Sequence, residues 1–191
     1  MVALLGIVTT GFAQTSDQDL ADRSTVIFEK ATRVDLYNQI LPILLTKEEY
    51  RDLLPAIEKA RQKVRDTQKL EAGELAKLEA KLDAAIKEAD EKGLVPPREL
   101  LTTVSQTLSK FTFARRIIAE SNTNDVYTVF MKITNAGQQK AAANALNPRY
   151  FAPNVKPEEM KDEDKIKIYV REILLHPVAY DIMRQLSKKS S

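Results

Sequence analysis

The chain has 191 residues, 43% apolar and 29% charged, a length and balance ordinary for one soluble domain with a real core. A net charge of +2, with Lys and Arg interleaved among Glu and Asp, excludes bulk electrostatic capture of nucleic acid. The absence of cysteine excludes disulfides, thiolate nucleophiles, zinc fingers and iron–sulfur ligation, and five glycines leave few turns of positive φ, which favours helices over a many-turned β fold.

The predicted elements begin with an uncharged apolar run, Val2 to Phe12. Gly11 and Ala13 stand three and one before a cut after Ala13, and a polar Gln-Thr-Ser-Asp stretch follows, which is the pattern of an export signal. The run is shorter than the ~20 residues that a hydrocarbon span takes, and no Lys or Arg precedes it. Residues 1–13 therefore read as a removed signal peptide; an apolar first helix and part of a longer membrane anchor are the alternatives. Residues 14–23 read as a flexible polar segment, 24–188 as a single all-helical domain, and 189–191 as a tail.

From Ser24, a candidate N-cap, Val26, Ile27, Val34, Tyr37, Ile40, Leu41 and Leu44 recur at helical spacing, with Pro42 to bend or stop the helix. Lys47 to Lys92 is rich in Glu, Lys, Ala, Leu and Arg. Leu54, Ile57, Val64, Leu75, Leu78, Leu82, Ile86 and Ala89 form its stripe. One helix of about 65 Å fits at 1.5 Å per residue; a helical hairpin turning at Glu71–Glu74, around Gly73, is the competing reading. Gly93 suits the helix end, with Pro96 and Pro97 beyond. A next helix carries Leu100, Leu101, Val104, Leu108, Phe111, Ala114, Ile117 and Ile118. Ser121–Asp125 breaks it, and a shorter helix holds Val126, Val129, Phe130 and Ile133. Asn135 opens another through Leu146. A proline-bearing loop from Asn147 follows, pinned by Tyr150 and Phe151, and then two helices near 163–175 and 178–188, separated by His176-Pro177. No strand is predicted, so the fold class is all-α, six to eight helices in one domain.

Two helix starts stand out. At Leu45-Thr46-Lys47-Glu48-Glu49, Thr46 can cap the amide of Glu49 and Glu49 can reach back to that of Thr46. At Thr134-Asn135-Ala136-Gly137-Gln138, Asn135 and Gln138 stand in the same relation. Shifting the chain by 89 residues superposes the two. Tyr37, Ile40, Leu41 and Leu44 then fall on Val126, Val129, Phe130 and Ile133, and Leu53, Leu54 and Ile57 on Ala142, Ala143 and Leu146. Helix, capped corner, helix is thus written twice.

These two segments resemble the paired LTxxQ motifs of the Spy/CpxP family, the first with Glu for the final Gln, the second keeping Gln but losing Leu and Thr. The resemblance covers roughly residues 36–146. It implies an extracytoplasmic helical fold, often dimeric, with chaperone-like or stress-sensing binding of other proteins. The zinc-responsive members need His or Cys ligands, and this chain has one His and no Cys.

Catalytic, cofactor and metal motifs are absent from the sequence. His176 reads as a cap for helix carbonyls. Gly6 to Phe12 has Walker spacing but Phe12 in place of Lys. Asp162-Glu163-Asp164 lacks the Gly and bidentate Glu of a calcium loop and suits a helix N-terminus. The sequence thus predicts a non-enzymatic, extracytoplasmic protein-binding protein, with no cofactor, nucleic acid or stable membrane span. Its partners are client proteins, an envelope complex or a second copy; a structural subunit is the second reading and a carboxylate enzyme the third.

Overall fold

A computed structural model describes residues 17–147, 151 and 156–189. Among them are six α-helices and no strand: α1 Asp17–Ile40, α2 Lys47–Lys92, α3 Arg98–Ile133, α4 Ala136–Ala145, α5 Asp162–Tyr169 and α6 Ala179–Leu186. The all-α class and the long helix agree with the sequence reading. The signal peptide expected over residues 1–13 lies outside the described residues, as does Tyr150.

The chain divides into two compact units, one up to Asp35 and one from Leu36 on, where the sequence predicts a single unit over 24–188. Burial explains the division. No residue from Asp22 to Asp35 is buried, and Val26, Ile27, Phe28 and Val34 are exposed, so these described residues of the first unit form no core. Helix begins at Asp17, within the stretch predicted to be flexible, and Ser24 lies inside the helix rather than at its cap.

In the second unit the core gathers Leu36 and Ile40 at the end of α1, the start of α2, the end of α3, and residues of α4, α5 and α6. Leu53, Ile57, Phe130, Tyr169, Val170, Leu174, Ile182 and Met183 are essentially inaccessible. The Phe130 and Tyr169 rings pack at 6.2 Å between centroids, tilted by 49°. The Tyr169 hydroxyl donates to the Gln39 carbonyl at 3.2 Å, satisfying its one polar atom. Burial pushes the Tyr169 hydroxyl far above its ordinary pKa and that of Tyr50 up to about 12.

α2 is one uninterrupted helix of 46 residues, about 69 Å long at 1.5 Å per residue. The turn at Glu71–Glu74 does not form. A Cβ at Gly73 would meet nothing, and a lone exposed glycine costs a helix only about 1 kcal/mol. Gly93 ends α2 at φ 65°, its N–H donating to the Ala89 carbonyl at 2.9 Å. α3 is likewise continuous through Ser121–Asp125, where the sequence predicts a break. The polar side chains find partners there instead of competing with the helix. Thr123 Oγ1 donates to the Ala119 carbonyl one turn back at 2.8 Å. Asn122 Nδ2 donates across to the Ala60 carbonyl at 3.1 Å, and Lys63 of α2 reaches Asp125 at 2.8 Å.

These cross-links, with Glu71–Arg115 further along, fix α2 and α3 as an antiparallel hairpin. Leu100, Val104, Thr107, Phe111, Ala114 and Ile118 alternate by four and three, the seam of a coiled coil, and are half-buried. Past Arg61, whose guanidinium lies 4.2 Å from the centroid of the Tyr180 ring of α6, the side-chain bonds from α2 to other helices run to α3 among the described residues. This explains why the predicted stripe is divided: Ile57 is buried and Leu78, Leu82 and Ala89 are half-buried, whereas Val64, Leu75 and Ile86 are exposed.

α5 runs into a π-helical turn, Val170–Leu174, before α6. Asp162, Glu163 and Asp164 occupy the first turn of α5. His176 does not cap helix carbonyls: its Nδ1 accepts from the backbone N–H of Val178 at 3.2 Å, tightening the approach to α6.

Candidate functional site

Two regions of the second unit carry arrangements that local folding alone does not require: the corner where the two capped helix starts meet, and the two faces of the α2–α3 hairpin.

At the corner, Thr46 (φ −74°, ψ 167°) accepts through Oγ1 from the Glu49 N–H at 3.2 Å, and Glu49 Oε2 accepts from the Thr46 N–H at 2.7 Å. Asn135 (φ −86°, ψ 170°) accepts from the Gln138 N–H at 3.0 Å, and Gln138 Oε1 from the Asn135 N–H at 2.9 Å. Both are complete capping boxes, and the fold joins them. Gln138 Nε2 donates to Glu49 Oε2 at 2.9 Å and to the Leu44 carbonyl at 3.3 Å. The difference between the two motifs thereby gains a physical reason. Two carboxylates at that distance would repel, and two amides would lose the charge-assisted bond; one Glu and one Gln make it.

The repeat holds downstream of the caps and at Tyr37–Val126 and Ile40–Val129 upstream, all buried or half-buried, but fails at Leu41 and Leu44, next to the first cap. Leu53 and Ala142 are both buried, and Leu54, Ala143, Ile57 and Leu146 are buried or half-buried. Before Asn135, Thr134 follows α3 directly. Before Thr46, a 3₁₀ turn at Leu41–Ile43 and left-handed Leu44 intervene. Leu41 and Leu44 are therefore exposed while Phe130, the match for Leu41, is fully buried. Leu44 adopts φ 54°, ψ 45°, which costs a side chain of its kind roughly 1–2 kcal/mol. A cleft of about 360 Å³ lies at this corner, lined by Leu44, Thr46, Glu49, Asn135, Gln138 and their neighbours.

On the hairpin, helical spacing separates two faces. One carries Leu70, Phe113 and Ile117, which are 74%, 67% and 51% exposed. Toward the turn this face opens into a cleft of about 330 Å³ between Leu78, Ala85 and Leu100, edged by Lys81, Glu88 and Glu99. The opposite face carries Leu75, Ile86, Leu101 and Leu108, all exposed. It continues into a cleft of about 360 Å³ where Val64 and Ile118 flank Glu71 and Arg115. Arg115 Nε donates to both carboxylate oxygens of Glu71, at 2.8 and 3.0 Å, and Nη2 donates as well. These bonds hold the Glu71 carboxyl below its ordinary pKa, against burial, which pushes the other way. Glu71 is only 5% exposed and stands on the seam, so the pair ties the register of the two helices.

Among the described residues no three His, Asp or Glu side chains gather where they could hold a metal ion, and no helix is long and apolar enough to cross a membrane. Pro55 within α2, the Asn122 cross-link and the Glu71–Arg115 pair stand outside the sequence expectations. Following the heptad through Ser121–Asn122 and back to Glu71 is the signal that reaches the last two. Compared with known families, curated proteins and solved structures, the chain matches none.

Proposed function

We propose that the protein binds other proteins outside the cytoplasm and holds their exposed apolar segments without ATP, through the hairpin face that carries Leu70, Phe113 and Ile117. One observation supports this reading above the rest: three large apolar side chains stand mostly in water on an arm only two helices wide. Covering the exposed part of each would release roughly 1–2 kcal/mol. An unfolded segment with its own apolar residues can supply that cover. The cleft between Leu78 and Leu100 extends the surface toward the turn, and Lys81, Glu88 and Glu99 give it a mixed-charge rim. Such a surface selects for apolar content rather than sequence. The placement outside the cytoplasm rests on the apolar run and small residues of positions 2–13, and kinship with the Spy/CpxP group on the two capped motifs.

Light scattering from an unrelated, chemically unfolded protein diluted into buffer tests the proposal. The protein suppresses aggregation near stoichiometric ratio, and Leu70→Ser with Phe113→Ser abolishes the effect while helical circular dichroism is unchanged. Aggregation unaffected at several-fold excess, or suppression untouched by the double variant, overturns it.

A further inference from the structure

The α2 side of the hairpin seam turns polar at Thr67 and Glu71, with Ala60 and Val64 before them and Leu78 and Leu82 after. Across from them Ala119 is too small to close the gap, and the cleft of about 360 Å³ opens there, walled by Val64 and Ile118. An ion pair that served register alone needs no open space beside it. Three polar groups besides Glu71 line this space. Thr67 Oγ1 donates to the Lys63 carbonyl at 2.8 Å, which leaves its oxygen free to accept. The Gln68 amide is exposed and bonds to none of the described residues. Arg115 spends one edge of its guanidinium, Nε with Nη2, on Glu71. Its other edge, Nη1 with the second N–H of Nη2, has no partner among the described residues. The spent edge is turned to a carboxylate only 5% exposed, so the unspent one is left to the cleft and its mouth.

We infer that this cleft binds a monocarboxylate that carries an apolar chain. Its two oxygens accept from the unspent edge of Arg115, the Gln68 amide adds a donor, and the chain lies against Val64 and Ile118. A guanidinium is planar and presents two forks, each matched to the two oxygens of a carboxylate, so one Arg can join two carboxylates edge to edge. Charge narrows the class further. Glu71 already neutralises Arg115, so a monoanion leaves the complex at a single negative charge, whereas a phosphate dianion would meet Glu71 with one guanidinium to offset both. A cation finds no vacancy, because both Glu71 oxygens accept from Arg115. Held by Glu71, the Arg115 side chain has little freedom left to lose when a ligand arrives. The volume stands at the small end of ligand sites and admits a chain of about eight carbons. One turn beyond Glu71, Leu75 is 42% exposed and offers a track for a longer one. A free fatty acid and the C-terminus of an apolar peptide share this chemistry. The cleft lies on the face opposite Leu70, Phe113 and Ile117, so the inference stands apart from client binding.

Titration calorimetry of the full-length protein with sodium octanoate tests the inference. Octanoate binds with a Kd of about 0.1–1 mM. Octyltrimethylammonium, a cation of equal chain length, binds about tenfold more weakly or not at all, and hexanoate about tenfold more weakly for its two missing CH₂ groups. Arg115→Lys keeps a positive charge for Glu71 but has no second fork, and weakens octanoate about tenfold. Thr67→Leu fills the cleft without touching the ion pair and abolishes binding at unchanged helicity. Phe113→Ser leaves octanoate binding as it is. Acetyl-Ala-Leu-Leu with a free C-terminus, set beside its amide, separates the two sources. Binding of octanoate alone assigns a free acid, binding of the peptide acid but not the amide assigns a chain end, and either bears the inference out. Absence of heat with both carboxylates at about 5 mM, equal binding of the cation, or binding indifferent to both Arg115→Lys and Thr67→Leu overturns it, as does octanoate binding lost on Phe113→Ser.

Discussion

Gln138 concentrates more of the fold in one side chain than its type suggests. It is 8% exposed and makes three side-chain bonds: Oε1 accepts from the Asn135 N–H, while Nε2 donates to Glu49 and to the Leu44 carbonyl. Gln138→Ala removes all three. Loss of a cap bond costs ~1 kcal/mol. The bond to the Glu49 carboxylate is charge-assisted, and its half-exposed acceptor places it at the low end, ~1.5 kcal/mol. The long bond to Leu44 adds ~0.5 kcal/mol. Together they come to about 3 kcal/mol, which lowers the urea midpoint by about 1.5 M for a slope near 2 kcal/mol/M. Asn135→Ala, which breaks one box without parting the two, costs only ~1 kcal/mol. A double-mutant cycle of Gln138→Ala with Glu49→Ala gives a coupling of about 1–1.5 kcal/mol. Gln138→Glu is worse than Ala at neutral pH, because it faces Glu49. Repulsion raises the folded-state pKa of the pair, so that variant regains stability as pH falls, opposite to most acid responses. A Gln138→Ala loss below about 1 kcal/mol, or additive single variants, would show that the two boxes merely adjoin.

Arg115→Met leaves Glu71 charged and unpaired on the seam and lowers the urea midpoint, whereas Glu71→Leu with Arg115→Met recovers most of it. Because the Glu71 pKa is lowered in the folded state, its contribution is fully present above the ordinary carboxylate pKa and is lost as pH falls through the folded value. Midpoints measured from neutral to acid pH should show that loss in wild type and not in the double variant. Pro55→Ala restores a helix N–H inside α2 and stabilises by about 1–2 kcal/mol, the helix gain being partly offset by a freer unfolded chain. Leu44→Asn, at an exposed left-handed position, raises stability by up to about 1 kcal/mol in the same denaturation assay.

What could be read from the residues was local. A capping box is decided within four positions, so the atoms of Thr46 and Glu49 meet whatever the rest of the chain does. Helix-favouring composition likewise carries α2 through Gly73. Ser121–Asp125 was illegible for the converse reason. Its polar side chains look like a helix break until Ala60 and Lys63 of α2 stand opposite them, and nothing nearby in sequence says so. Leu44 and Leu41 leave the helical face predicted for them for a geometric reason: the 3₁₀ turn at Pro42 rotates the chain off the helical register on which the apolar spacing is counted. The Glu49–Gln138 bond lies between these cases. The 89-residue offset pairs the two side chains on paper, but only folding brings them to 2.9 Å. The division after Asp35 escaped because apolar spacing in α1 is genuine, yet nothing buries it before Leu36.

The central claim is that clients are held by the outer hairpin face rather than by the compact end of the molecule. A photo-crosslinking residue placed in turn at 70, 113 and 117, and for comparison at 108 and 158, reads this directly in the presence of an unfolded client. The account predicts client adducts at 70, 113 and 117 and none at 158. Client adducts at 158 in place of the hairpin positions would contradict it.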